Sequence, residues 1–156
     1  MDIKKQVQAN EFEEKVYDYF NDIHNIPLSH FVSKTGQFTR GENRQGFEIK
    51  NDQRYKQTGN LYISVKRVYA ESGKEYPSGI YRDTETAQLF YIIGDSDNFW
   101  IIATKHLRTY YEENDLQPIK GFKSATGGQE IGFLLSTRKA DRLCAAKYST
   151  QTKLDI

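Results

Sequence analysis

The fold turns on Gly46-Phe-Glu-Ile-Lys-Asn-Asp-Gln-Arg-Tyr-Lys-Gln-Thr-Gly-Asn60. Its opening residues, Phe47, Glu48, Ile49 and Lys50, alternate apolar and charged, which is the period of a strand. Residues two apart on a strand share a face. Phe47 and Ile49 are therefore expected in a core. Glu48, Lys50 and Asp52 are expected on the other face, as a row of carboxylate, ammonium, carboxylate. That row suits metal-assisted phosphodiester hydrolysis: the acids hold a hard divalent cation through oxygen, and the cation activates water and stabilises charge on the phosphate. The lysine orients the water or offsets developing charge. A solvated strand face is the competing reading, because acid-x-lysine also occurs at Asp2-Ile3-Lys4 and Glu13-Glu14-Lys15 without strand context.

Upstream, residues 10–24 read as a helix. Asn10 is placed to cap it, with Glu11, Glu13 and Glu14 in the first turn where the helix dipole favours acids. Phe12, Val16, Phe20 and Ile23 form its apolar stripe. Glu13 lies at the edge of that stripe, either as a helix-start acid or as an acid turned toward a site. Pro27 ends the element. Residues 28–35 read as a strand, broken at Gly36. Residues 37–46 are polar and contain Arg40, Glu42 and Arg44, as a loop or the far arm of a hairpin. Arg40, Arg44, Arg54 and Lys56 flank the Glu48 strand as candidate phosphate contacts, or as solvated charges.

Downstream, Thr58-Gly59-Asn60 is a turn signal. Residues 61–68 alternate as a strand with Leu61, Ile63 and Val65 on one face. Residues 71–79 read as a loop, and residues 84–90 as one or two helical turns. Leu89–Ile93 and Phe99–Ala103, joined by Gly94-Asp-Ser-Asp-Asn98, form the clearest hairpin; both arms are continuously apolar, as in strands covered on both faces. A helix is expected over 105–114 with Leu107, Tyr110 and Tyr111 inward, then a strand over 130–135. Ser136 caps a last helix over 137–148, which carries Cys144 on one face, and the tail from Ser149 is polar. This order predicts an α/β (α+β) domain with a central mixed β-sheet flanked by helices.

Composition sets the bounds. The chain has 156 residues and a net charge of +1, which suits one domain spanning residues 1–156 and gives no global field. Tyrosine-rich surfaces, with 11 Tyr, 9 Phe and 1 Trp in the chain, suit contact with sugars, bases or proteins. One cysteine excludes an internal disulfide and fits a reducing compartment. The absence of a membrane-length apolar run and of a signal-peptide segment leads to a cytoplasmic expectation.

Glu48-Ile-Lys-Asn-Asp52, followed by Thr58-Gly-Asn60 and an alternating strand, resembles the PD-(D/E)XK nuclease superfamily, in particular its small phage and mobile-element members. Pro77-Ser-Gly-Ile80, the segment 84–90, and Trp100-Ile-Ile with Leu107 extend the resemblance over about residues 10–110, leaving 120–148 as a C-terminal strand–helix extension. The resemblance implies a restriction-endonuclease-like core and a Mg2+ (or Mn2+)-dependent endonuclease acting on double-stranded DNA. The site would be specific for a sequence, as in homing or restriction enzymes, or for a structure. It implies Glu48 and Lys50 as the motif acid and lysine, and Glu13 as the acid that many members carry on the first helix. The family's first motif acid is normally an aspartate upstream of the Glu-x-Lys strand; Glu42, the single acid between residues 23 and 47, would take that role under the resemblance. No aspartate lies between Asp22 and Asp52. Glu42, Glu48 and the Ile49 carbonyl would ligate metal, while Arg40, Arg44, Arg54, Lys56 and Asn60 would contact DNA. Ser64 departs from the family pattern, which leads us to expect an acid there. A double-strand cutter needs two sites, hence a homodimer or homotetramer. The alternative is a non-catalytic DNA-binding module on the same fold.

Overall fold

In the computed structural model, residues 3–24, 46–82 and 89–150 are described. The expected strand at 28–35, the polar segment with Arg40, Glu42 and Arg44, and the turns over 84–88 lie outside these residues. The chain runs α1 (Ile3–His24), β1 (Phe47–Asn51), α2 (Tyr55–Thr58), β2 (Asn60–Tyr69), β3 (Glu75–Pro77) and a 3-10 turn (Gly79–Tyr81). It continues through β4 (Phe90–Gly94), β5 (Asn98–Ala103), α3 (Thr104–Glu113), β6 (Ile119–Lys123), β7 (Gly128–Ser136), α4 (Thr137–Leu143) and β8 (Ala146–Ser149). No described helix is long and apolar enough to cross a membrane.

Among the described residues the strands form two four-stranded sheets, one ordered β1-β4-β5-β8 and the other β3-β2-β7-β6. The first is mixed: β1 runs parallel to β4, with Phe47 opposite Phe90 and Lys50 opposite Ile93, while β4, β5 and β8 are antiparallel. The second is antiparallel throughout. The mixed sheet is the central layer. One face takes α1, whose Phe12, Val16 and Phe20 pack on Phe47, Ile92 and Phe99. The other face presents Tyr91, Ile93, Trp100 and Ile102 to Leu61, Ile63, Phe133 and Leu135 of the antiparallel sheet, with Leu107 of α3 and Ala140 of α4 in the same cluster. The α/β (α+β) class and the mixed central sheet match expectation. A second sheet covers much of a face expected to carry helices.

Periodicity explains most elements. The alternation in β2 buries Leu61, Ile63 and Val65 on the inner face. Burying each such side chain fully contributes about 1.5–3 kcal/mol. Gly94 to Asn98 forms the expected hairpin loop, and Ser136 caps α4 by accepting a hydrogen bond from the Lys139 N–H at 3.1 Å. Four local readings are corrected. Asn10 is not a cap, because α1 starts at Ile3. The helix expected over 137–148 stops at Leu143, where Cys144 is its C-cap residue rather than a helix-face residue. Ala146 and Tyr148 then extend the mixed sheet as β8, with Tyr148 stacked on Phe99 at 4.9 Å. Residues 71–79, read as a loop, contain the short strand β3. The segment after residue 119 is integral to the fold, since β7 pairs with β2 along its whole length.

Candidate functional site

The strand geometry of β1 divides its side chains as the alternation requires. Phe47 and Ile49 pack with the α1 cluster. Glu48 leaves the opposite face and is completely buried. Lys50 Nζ lies 2.9 Å from Glu48 Oε1, and Arg82 Nη1 lies 3.8 Å from the same oxygen. Arg82 follows the 3-10 turn, which packs tightly on β2: a Cβ at Gly79 would sit 1.9 Å from the Ser64 carbonyl oxygen, and its φ of 54° is left-handed. Only glycine fits there without backbone movement. Burying a carboxylate in this way requires close countercharge.

Asp52 follows β1 and ties the two sheets together. Its Oδ2 accepts from the Tyr62 N–H at 2.9 Å, and its Oδ1 from the Arg54 N–H at 3.0 Å. Tyr62 in turn donates through its hydroxyl to the Ile119 carbonyl at 3.2 Å. Its ring occupies the space where Gly121 has no side chain, since a Cβ there would come within 2.5 Å of the ring.

The third carboxylate is Glu130, on β7. Its Oε1 accepts from Arg67 Nε at 2.9 Å and Nη2 at 2.7 Å, and its Oε2 from the Ser78 hydroxyl at 2.9 Å and from the Ser64 hydroxyl. Ser64 thus has a carboxylate at its hydroxyl even though it is not an acid itself. Burial pushes the Glu130 carboxyl up, but the hydrogen bonds from Ser64, Arg67 and Ser78 and the Arg67 charge outweigh it, so its pKa falls below the ordinary range. Tyr91 lies at the centre. Its phenol is fully buried and pushed well above its ordinary pKa, first by desolvation and then by the charges of Glu48, Asp52 and Glu130.

An open groove of about 1860 Å³ runs over Lys50, Asp52, Arg82, Tyr91 and Glu130, with Glu48 outside its lining. Its lining includes the cations Lys50, Arg54, Arg67, Lys74, Arg82 and Lys120 against the acids Asp52 and Glu130. The groove therefore has a positive balance that the whole chain, at +1, does not reveal.

Of the site residues expected from sequence, the structure brings Glu48, Lys50, Arg54 and Asn60 to this region, and Ile49 sits in β1 beneath it. Glu13 is elsewhere: it accepts a hydrogen bond from Tyr17 at 2.7 Å on α1, which covers the Phe47 and Ile49 face. Lys56 turns to the hairpin loop and pairs with Asp95 at 2.8 Å and Asp97 at 2.5 Å. Glu42, Arg40 and Arg44 lie outside the described residues. Sequence reasoning missed Asp52 as a tie between sheets and passed over Arg67, Arg82 and Glu130. Strand alternation around Phe133 and Leu135 puts Glu130 on the outer face, but only the pairing with β2 reveals the arginine it meets.

Among the described residues no three acidic, histidine or cysteine side chains are arranged to hold a metal ion. Glu130 already receives four donors, about the full lone-pair capacity of a carboxylate. Glu48 and Asp52 are the two acids left beside the groove. Magnesium commonly takes one or two carboxylates completed by water and substrate phosphate. Asp52 lines the groove with each oxygen accepting one N–H bond, and Glu48 is buried against Lys50 outside the lining. In comparison with known proteins, the chain matches no family model, no curated protein and no solved structure.

Proposed function

We propose that this chain is a magnesium-dependent endonuclease that binds DNA in the cation-lined groove and hydrolyses a phosphodiester at its Glu48–Lys50 end. The observation that carries this reading is the pairing of a fully buried Glu48 with Lys50 directly beside that groove. A structural ion pair on a strand needs no such burial. Lys50, 43% exposed, extends from that buried carboxylate into the groove and presents its charge to a phosphate there.

Glu48 and Asp52 would hold the Mg2+ (or Mn2+) ion, which supplies an activated water and charge stabilisation when bound. Lys50 donates a hydrogen bond to the attacking water or to a non-bridging phosphate oxygen, and carries the charge that balances Glu48. Arg82 stands on the same carboxylate and is available to a phosphate oxygen as developing charge draws it away. Arg54 and Asn60 on the rim position the backbone. Cutting both strands wherever the substrate has two takes two copies of the site, so a homodimer or homotetramer is expected, to be checked by light scattering of the eluting protein.

Supercoiled plasmid incubated with magnesium should be nicked or linearised, and a chelator should abolish this. Lys50→Ala should lower the rate about 100-fold or more while leaving gel-shift affinity within a few-fold. Cleavage that persists at the wild-type rate in Lys50→Ala would remove the assignment. The second reading, a non-catalytic DNA-binding module, is favoured by there being no three-ligand cluster among the described residues. It predicts DNA affinity in the groove with no metal-dependent nicking at any protein concentration.

A further inference from the structure

The floor of the groove is the outer face of the antiparallel sheet, and its surface is aromatic as well as cationic. The register places Tyr62, Ser64, Arg67 and Tyr69 of β2 on the face opposite Leu61 and Ile63, the bulge between Ser64 and Lys66 keeping Arg67 and Tyr69 outward. Tyr76 of β3 lies beside Arg67 in the ladder and meets Tyr69 edge-on at 5.7 Å. At the far edge, Phe122 of β6 is 73% exposed, and Tyr76 at the near edge is 49% exposed. Lys74 and Lys120 line the same groove and make no ion pair with the described residues.

Rings this exposed have little to do on a duplex, whose bases are stacked away and whose phosphates call for cations. An unpaired base offers a π-face to an aromatic ring of any sequence, while the intervening cations track its backbone. At about 4.8 Å between strands, β3 to β6 spans about 14 Å, room for about four bases at a stacking rise of about 3.4 Å. Charge complementarity commits the face to a polyanion, and the rings select one with exposed bases.

We infer that this sheet face is a stacking platform for a single-stranded segment of nucleic acid, so the preferred substrate is single-stranded, frayed or branched rather than a continuous duplex. The inference rests on the groove being a nucleic-acid site but not on its cleaving anything.

The test is fluorescence anisotropy in chelator, with labelled oligothymidylate, oligouridylate and a mixed-sequence duplex of the same length. The wild-type chain should bind at least one single strand about tenfold or more tighter than the duplex, and the two homopolymers identify whether deoxyribose or ribose is preferred. Phe122→Ala and Tyr76→Ala, both at exposed positions, should each weaken single-strand binding by about fivefold to 100-fold and change duplex binding by less than twofold. Circular dichroism of both variants should match the wild type. Equal or tighter binding of the duplex, or single-strand affinity unchanged in both variants, would overturn the inference. Plasmid nicking without single-strand preference leaves the nuclease reading standing and sinks this one; single-strand preference without nicking does the reverse.

Discussion

Glu130 illustrates how much a single carboxylate can organise when it is given enough donors. Arg67, Ser64 and Ser78 come from β2 and the segment after β3, so the one side chain joins β7 to both. Removing its charge leaves the Arg67 guanidinium and two hydroxyls to find new partners. Glu130→Gln should destabilise the fold by about 1–3 kcal/mol, the scale of hydrogen bonds to charged groups, read as a lower midpoint in urea at neutral pH. The pH dependence follows from the depressed pKa. In the unfolded chain this carboxyl titrates near its ordinary value of 4.5, and in the folded chain below it. Its contribution is therefore whole above about 4.5 and lost as the pH falls through the folded value. The stability gap between wild type and Glu130→Gln should narrow in acid. A gap that stays constant down to the acid transition would mean Glu130 is not held as a carboxylate.

At the scale of elements, the pairing of β2 with β7 sets the shape of the groove floor. Gly132 sits opposite Ser64, where a Cβ would lie 2.0 Å from the Ile63 carbonyl oxygen. The obstacle is backbone, so it moves only if the ladder moves. Gly132→Ala should cost about 1–3 kcal/mol or more and should also loosen the Ser64–Glu130 contact. Amide exchange along β2 and β7 would report this, and unchanged protection at Ile63 and Phe133 would count against it. β1 and β2 were legible from alternation, because one apolar face of each meets a core, and the β4–β5 hairpin from continuously apolar arms that are covered on both faces. Partner choice leaves no local mark. Nothing in Phe47–Lys50 says that β1 runs parallel to β4, and nothing near Ala146 says that a strand rather than a helix follows Leu143, since Ala, Lys and Tyr suit both until Phe99 and Ile101 supply a neighbour. Half of the candidate site was readable for the same reason. Glu48 and Lys50 are two apart on one strand, whereas Arg67, Arg82 and Glu130 reach the groove only through long-range pairing and a tight turn.

Across the whole molecule, the net charge of +1 conceals a segregated distribution. Six cations and two acids are found in the groove lining, and both of those acids already accept hydrogen bonds from neighbouring N–H or hydroxyl groups. Three of the cations, Lys50, Arg67 and Arg82, lie within ion-pair range of Glu48 or Glu130. Lys74 and Lys120 carry no such pairing among the described residues, so a phosphate gains their full charge without first breaking an internal contact. Counterion release makes this measurable. Each phosphate neutralised contributes about 0.9 to the slope of log affinity against log salt for a duplex and about 0.7 for a single strand. Lys74→Ala and Lys120→Ala should each reduce that slope by about 0.7–0.9 and weaken binding nearly uniformly across sequences. Lys105, exposed on α3 and absent from the groove lining, is the control, and Lys105→Ala should leave the slope unchanged. If all three variants keep the wild-type slope, the nucleic acid does not lie in this groove; if Lys105→Ala alone flattens it, the binding face is on the α3 side.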